Sequence, residues 1–260
     1  EAEGYLTRLY KMGSRMEVVP YYLGQVAEEK KEYQKALDWY SRVRSGEFTL
    51  DAQLRIAAVL AKVEGMPAAR RHLSQLRPRT VEAQREIYLF EGSLLRRAGQ
   101  YQESFQLYSQ ALEAIPGDTN LLYARALVAE RLDKLDVAER DLHTILDKEP
   151  DNVDALNALG YTLADRTERY EEALKYIRRA YEMAPDNAAI LDSMGWVHYR
   201  MGDYDAAVKY LRQAYDQVKD GEIAAHLGEA LWVSGHEEQA RELWNGALEQ
   251  SADNNEILRK

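Results

Sequence analysis

The sequence has 260 residues, with 34 Lys and Arg against 44 Asp and Glu, no Cys and 46% hydrophobic residues. Without cysteine the chain has no disulfide scaffold, no Cys-ligated metal site and no thiol nucleophile, while its hydrophobic fraction suffices for a folded core. The net charge of −10 disfavours sequence-independent binding to nucleic acid, because phosphate backbones repel it. Most of this charge lies in residues 131–260, which hold 16 basic and 27 acidic residues, a net charge of −11. No apolar run approaches the ~18 residues that a membrane-spanning helix needs.

A small residue recurs at intervals of 33 to 35 residues, at Gly24, Ala58, Gly92, Ala126, Gly160, Gly195 and Gly228. A period of this length predicts pairs of antiparallel helices, in which the small residue of the first helix lets the backbone of the second helix approach closely. Large residues of the second helix, such as Leu211 and Trp244, are expected to fill the space beside it.

Three prolines share this period, at Pro116, Pro150 and Pro185. Proline forces the preceding residue out of the helical conformation, so each one is predicted to end a second helix. The Asp-Asn pair that follows Pro150 and Pro185 is predicted to cap the next helix.

In chain order, residues 1–16 are predicted to be a partial repeat that contributes a lone second helix. Seven full repeats follow, at about 17–50, 51–84, 85–118, 119–152, 153–187, 188–220 and 221–253, and residues 254–260 start a further first helix. In repeat 51–84 the sequence Arg77-Pro78-Arg79 is predicted to end the second helix early and to make the stacking irregular. The chain is therefore predicted to be all-α, a single superhelix over residues 1–260 that is part of a longer array.

The pattern resembles the tetratricopeptide repeat, whose period is about 34 residues. The best match is repeat 188–220, which carries the family's small and large positions at Leu191, Met194, Gly195, His198, Ala207, Leu211 and Ala214. The resemblance covers essentially the whole chain and implies a right-handed α-solenoid of helical hairpins. It also implies that the first helices line a concave groove, the usual binding face of such arrays.

The positions that line the groove in this family supply the candidate partner-binding residues Tyr123, Asn157, Tyr161, Asp165, Asp192, Trp196, Tyr199, Arg200, Glu229 and Trp232. Exposed Tyr and Trp commonly carry interface energy, but both tryptophans could instead pack against the neighbouring hairpin. In the first half, the same positions give a possible basic patch at Arg55, Lys62, Arg96 and Arg97. This patch could bind an acidic partner surface or be a solvated stretch of the helices.

The sequence contains no recognisable catalytic constellation. The five histidines are His72, His143, His198, His226 and His236, and none forms a His-x-x-x-His or His-Glu-x-x-His pattern. His198 occupies a packing position of the repeat. Glycine-rich phosphate loops and the Gly-x-Ser-x-Gly nucleophile signature are absent. We therefore expect no enzymatic activity, no cofactor and no metal, and we expect the function to lie in the binding of proteins or peptides.

Three stretches carry a narrower resemblance: residues 157–166 (NALGYTLADR), 190–200 (ILDSMGWVHYR) and 224–232 (AAHLGEALW). They resemble proteobacterial tetratricopeptide lipoproteins of the outer membrane, in particular the binding partner of a periplasmic carboxyl-terminal processing protease. The resemblance implies a non-enzymatic adaptor that binds the protease and presents cell-wall hydrolases to it. It also implies a periplasmic location, with a lipid anchor outside this chain.

Two other readings stay open on the sequence alone. The chain could be the regulatory repeat region of an enzyme whose catalytic domain lies elsewhere, or a scaffold for envelope or pilus assembly. A cytoplasmic location is the alternative to the periplasm.

Overall fold

The computed structural model describes residues 2–13 and 18–250, and every regular element in these residues is an α-helix. The helices are α1 (Ala2–Lys11), α2 (Val19–Glu29), α3 (Tyr33–Tyr40), α4 (Thr49–Val63), α5 (Met66–Gln75), α6 (Val81–Arg97), α7 (Tyr101–Ala114), α8 (Thr119–Arg131), α9 (Leu135–Lys148), α10 (Val153–Arg166), α11 (Tyr170–Met183), α12 (Ala188–Arg200), α13 (Tyr204–Gln217), α14 (Gly221–Val233) and α15 (Glu237–Gln250). The prediction of an all-α fold is confirmed. The predicted start of a further helix at 254–260 lies outside the described residues. None of the helices in the described part is long and apolar enough to cross a membrane.

The contacts between residues divide the chain into an N-terminal body, Glu1–Val128, and a C-terminal body, Ala129–Lys260, and the division falls within α8. In the N-terminal body α2 packs on α3, α4 on α5, and α6 on α7. In the C-terminal body α10 packs on α11, α12 on α13, and α14 on α15, and the first helices α10, α12 and α14 also contact one another in that order. The helices therefore pack pairwise as a repeat array. The single superhelix over residues 1–260, with its repeat boundaries, stays a prediction.

Two second helices of the N-terminal body are short. Helix α3 has 8 residues and α5 has 10, against 14 in α7. Helix α5 ends at Gln75 because the chain turns to an extended conformation at Leu76, where ψ is 144°, just before Arg77-Pro78-Arg79. The predicted early end of this helix is confirmed. The packing of α5 against the core is still regular, because Ala69 and Leu73 are both buried in the same cluster.

The small residues of the first helices lie at points of close helix contact. A Cβ atom added to Gly195 would lie 3.0 Å from the backbone nitrogen of Leu211 and would overlap the Leu211 side chain. A Cβ atom on Gly160 would lie 3.0 Å from the carbonyl oxygen of Ala173, and one on Gly228 would overlap the indole of Trp244. The predicted packing of large residues beside the small ones is therefore confirmed at these positions.

The ends of the second helices follow the proline pattern. Helix α11 ends at Met183, and Ala184 leaves the helical region with ψ 68°, directly before Pro185. The side chain of Asn187 then accepts hydrogen bonds from two backbone N–H groups in the first turn of α12, at 3.0 and 3.3 Å. Asn152 caps α10 in the same way, with its side-chain oxygen 2.9 Å from a backbone nitrogen of the first turn. The predicted helix stop and cap are confirmed in both places.

The turn inside the hairpins repeatedly uses one residue in the left-handed conformation, namely Lys31, Gly65, Gly99, Asp133, Gly202 and Gly235. Four of these are glycines, which adopt positive φ without a steric penalty. Lys31 has φ 60° and Asp133 has φ 57°. Each of these two residues carries a Cβ atom, which the left-handed conformation disfavours.

Replacing Gly195 by alanine tests the close helix contact. We expect Gly195→Ala to lower the free energy of unfolding by about 1–3 kcal/mol, because the added methyl overpacks against Leu211. The matched control is Gly246→Ala in α15, where an added Cβ atom meets nothing within 4 Å. That change should raise stability by up to about 1 kcal/mol, since alanine favours a helix over glycine. Equal effects of the two changes in denaturant unfolding would contradict the packing described.

Replacing Lys31 by glycine tests the turn. We expect Lys31→Gly to raise the free energy of unfolding by about 0.5–1 kcal/mol, because the left-handed conformation no longer strains a side chain. Lys31→Ala keeps the Cβ atom and serves as the control for loss of the charge. Thermal and urea unfolding should rank the glycine variant above the alanine variant, and the reverse order would show that the turn is not strained.

Candidate functional site

Polar and aromatic side chains gather on one surface of the C-terminal body, formed by the contacting helices α10, α12 and α14. We call this surface the first-helix face. Helix α10 contributes Asn157, Tyr161 and Asp165, α12 contributes Asp192, Trp196, Tyr199 and Arg200, and α14 contributes Glu222, His226, Glu229 and Trp232. Apart from Tyr123, the predicted partner-binding residues thus lie on three neighbouring helices. Their role in binding stays a prediction.

Three stacked rings form the centre of the face. The Trp196 ring lies between His226, at a centroid distance of 4.1 Å, and Tyr199, at 4.9 Å, with interplanar angles of 20° and 14°. The indole N–H of Trp196 donates a hydrogen bond to Asp165 Oδ1 at 3.1 Å, and only 7% of Trp196 is exposed. Of the two interpretations open for this tryptophan, the structure therefore favours packing. Trp196 supports the face from within and offers a partner little surface.

His226, one of the three stacked rings, also forms a buried ionisable pair with Asp192. His226 Nδ1 is 2.9 Å from Asp192 Oδ1 and 3.1 Å from Oδ2, and both residues are buried. Burial alone would lower the pKa of the imidazole. The hydrogen bond and charge of Asp192, with the charges of Glu222 and Glu229, outweigh burial and raise the pKa of His226 above its ordinary value. The pair therefore joins α12 to α14 through a charge-assisted hydrogen bond.

Tyr161 joins α10 to α14. Its hydroxyl donates a hydrogen bond to Glu222 Oε1 at 3.1 Å. Burial raises the pKa of Tyr161 strongly, and the negative charges of Glu222, Asp165 and Asp192 raise it further. These three carboxylates therefore lie close enough to the hydroxyl to disfavour its ionisation.

Arg200 holds the far end of α12 against the end of α10. Its guanidinium donates to the backbone oxygen of Asp165 at 2.7 Å and to the Tyr170 hydroxyl at 3.1 Å, and it lies over the Tyr170 ring at 5.2 Å from the centroid. Part of its hydrogen-bonding capacity is therefore used inside the protein. The guanidinium remains half-buried, so one side of it still borders solvent.

The outer part of the face is formed by Tyr199, Glu229 and Trp232. Burial and the neighbouring Glu229 carboxylate raise the pKa of Tyr199. Desolvation raises the pKa of Glu229, although the His226 charge and the Tyr199 hydrogen bond oppose it. Trp232 is 38% exposed and stacks on Trp244 at 6.0 Å, with Arg241 over its ring at 5.2 Å. Trp232 is therefore more exposed than Trp196, although Trp244 and Arg241 of α15 cover part of its ring.

A cavity of about 430 Å³ opens on the same face. Its polar lining comes chiefly from Asn157, Tyr161, Asp192, Asp220 and Glu222, so three carboxylates border it. The side-chain oxygen of Asn157 is buried and has no hydrogen-bond partner within the described part of the chain. We call this space the acidic cavity.

The basic patch predicted for the N-terminal body is partly balanced internally. Lys62 Nζ lies 2.9 Å and Arg55 3.9 Å from the carboxylate oxygens of Glu28, so one acidic residue pairs with two of the four cations. Arg96 and Arg97 are exposed in the last turn of α6. Tyr123 lies half-buried on α8, in the N-terminal body. Binding of an acidic partner by this patch stays a prediction.

Sequence reasoning missed three residues of the face, His226, Glu222 and Asp220. The signal for His226 is its separation of 34 residues from Asp192, one repeat period, which places the two on adjacent first helices. Motifs that span only a few residues do not contain this pairing, because no partner stands beside His226 in the sequence. Within the described ranges, His and acidic side chains form no group able to hold a metal ion.

Residues 151–220 and 193–255 match two family models of the tetratricopeptide repeat. The chain is 42% identical over 207 residues to the TPR repeat-containing protein PA4667 of Pseudomonas aeruginosa, an alignment that covers 80% of this chain and 35% of that protein. This chain therefore spans about a third of the length of that relative.

Two solved structures share the fold. The protein TTC0263, a thermophilic TPR protein from Thermus thermophilus, has 25% sequence identity and a TM-score of 0.61, covering 66% of this chain and 94% of that one. A tetratricopeptide repeat protein from Parabacteroides merdae has a TM-score of 0.60 over 82% of this chain and 83% of that one. Its sequence identity of 16% makes it a likeness of fold alone.

The buried His226–Asp192 pair predicts a pH dependence of stability. Because the pKa of His226 is raised on folding, its stabilising contribution is full below the unfolded value of about 6.5 and is lost as the pH rises through the higher folded value. We expect the free energy of unfolding, measured in urea, to fall from pH 6 to pH 8 more steeply in the wild type than in His226→Gln. At pH 6 the variant should be less stable by about 1–3 kcal/mol, because Asp192 loses a charged donor. Equal slopes for the two proteins would show that this pair does not titrate as described.

Proposed function

Because the chain is a tetratricopeptide repeat protein, we propose that it is a non-enzymatic adaptor that holds a protein partner on the first-helix face of its C-terminal body. Arrays of this kind bind proteins through surfaces that the stacked helices present. The partner we propose is a periplasmic carboxyl-terminal processing protease, together with the cell-wall hydrolases on which it acts.

The observation that carries the proposal is the composition of the exposed rim of this face. These residues are Tyr199 and Arg200 on α12 and Glu229 and Trp232 on α14, and all four retain exposed surface. Aromatic residues and arginine are the types that most often dominate binding energy at interfaces. Tyr199 itself belongs to the stack with Trp196 and His226, which holds its ring in one orientation, so that a partner would meet a surface that is already ordered.

Two observations support the proposed partner, namely the resemblance of the repeats to those of known lipoproteins and the charge of the first-helix face. The repeats between residues 157 and 232 resemble those of the outer-membrane lipoproteins that bind such proteases, and a repeat-containing relative at 42% identity comes from a proteobacterium. We further propose a periplasmic location, with attachment to the outer membrane through a lipid anchor outside this chain. The excess of carboxylates on the face is suited to a partner surface that carries positive charge.

Truncating the exposed tryptophan tests the proposal. We expect Trp232→Ala to weaken binding of the purified protease to the immobilised chain by about thirtyfold, the effect of losing an interface residue worth roughly 2 kcal/mol. Met183→Ala in α11 is the matched control, because Met183 is 46% exposed on a second helix of the same body. It should bind as the wild type does. Biolayer interferometry measures the affinities, and thermal unfolding checks that each variant is folded.

Two results would contradict the proposal. If the protease binds Trp232→Ala as tightly as the wild type, the first-helix face is not the binding surface. If neither the protease nor its hydrolase substrates bind the wild type or its longer parent, the identity of the partner is wrong.

A further inference from the structure

The acidic cavity combines features that match one kind of side chain. We infer that it binds an arginine side chain from an extended segment of the partner, with lysine as the weaker alternative. This inference rests on the proposed function, because it names the chemistry of the partner segment that the first-helix face would hold.

The negative charge of the cavity lining favours the binding of a cation. Asp192, Asp220 and Glu222 border the cavity, and none of the described residues that line it is Lys or Arg. Asp192 is paired with His226, so the negative charge that faces the cavity comes chiefly from Asp220 and Glu222. An acidic side chain entering this space would be repelled, whereas a cation would be attracted.

The hydrogen-bonding groups of the lining are mainly acceptors. Glu222 already accepts from Tyr161 at one oxygen, but a carboxylate offers about four acceptor sites. A guanidinium has five N–H donors in a planar fork, so it can donate two parallel hydrogen bonds to one carboxylate, a geometry that a single ammonium does not match.

The remaining walls suit the rest of an arginine side chain. Val218, which is 48% exposed, and Ile223 give an apolar wall against which the methylene groups of the stem can pack. The ring of Tyr161 lines another side and offers a face for the guanidinium to stack on. The volume of about 430 Å³ falls in the range of ordinary small-ligand pockets, so one long side chain and its flanking backbone fit.

The test begins with a selection of random dodecapeptides, displayed on phage, against the purified chain. We expect arginine to be enriched at one position of the recovered sequences. The best peptide is then synthesised with a fluorescent label, once with arginine and once with citrulline, which has nearly the same shape but no charge. Fluorescence anisotropy should show binding at least about tenfold weaker for the citrulline peptide, as expected for loss of a charge-assisted hydrogen bond.

The protein variant is Asp220→Asn with Glu222→Gln. Asparagine retains the capping oxygen at the start of α14, where Asp220 now accepts from a backbone N–H at 2.7 Å, and glutamine retains an acceptor for Tyr161. This double variant should lose the preference for arginine over citrulline. The control is Glu237→Gln with Glu238→Gln, which removes the same charge from the exposed first turn of α15 and should keep the preference.

The outcomes separate this inference from the proposed function. Enrichment of acidic or uncharged peptides, no enrichment at all, or equal affinity of the arginine and citrulline peptides would overturn the arginine inference. If the protease binds the wild type and this binding depends on Trp232 but not on Asp220 and Glu222, the adaptor proposal stands and the inference fails. If binding of the protease depends on none of these residues, both fail.

Discussion

The close contact between the two helices of each hairpin is the constraint on which the other features depend. In the C-terminal body, the glycines at 160, 195 and 228 leave no room for even one additional carbon against the helix that follows. Because this contact recurs about every 34 residues, it sets the register of successive hairpins. Side chains at equivalent positions of successive first helices are thereby presented at the same surface each time.

This register explains how distant residues form one site. Asp192 and His226 are separated by 34 residues, Asp165 and Trp196 by 31, and Tyr161 and Glu222 by 61, yet each pair is within hydrogen-bond distance. The helices carry these side chains on rigid backbones, and the hydrogen bonds and stacked rings connect α10, α12 and α14 side by side. Stability and binding are therefore linked, because the groups that hold the helices together also shape the surface offered to a partner.

The sequence was sufficient to predict the fold, but not which side chains are buried or paired with one another. The recurring small residues and prolines predicted the helix pairs, their caps and the early end of α5, because these depend on local rules and on a period. The burial of Trp196 could not be predicted, since it depends on His226 from the next repeat stacking on its ring. The pairing of Arg55 and Lys62 with Glu28 likewise depends on contacts between repeats, which composition and local motifs do not contain.

Site-specific photo-crosslinking tests most directly whether a partner binds the first-helix face of the C-terminal body. Benzoylphenylalanine would be introduced in place of Trp232 on α14 or in place of Met183 on α11, both of them exposed, and the chain would be illuminated together with the purified protease and its hydrolase substrates. The account predicts that illumination joins the protease or its hydrolase substrates to the protein at position 232 and not at position 183. Crosslinks at position 183 alone, or at neither position while the complex is intact, would contradict it.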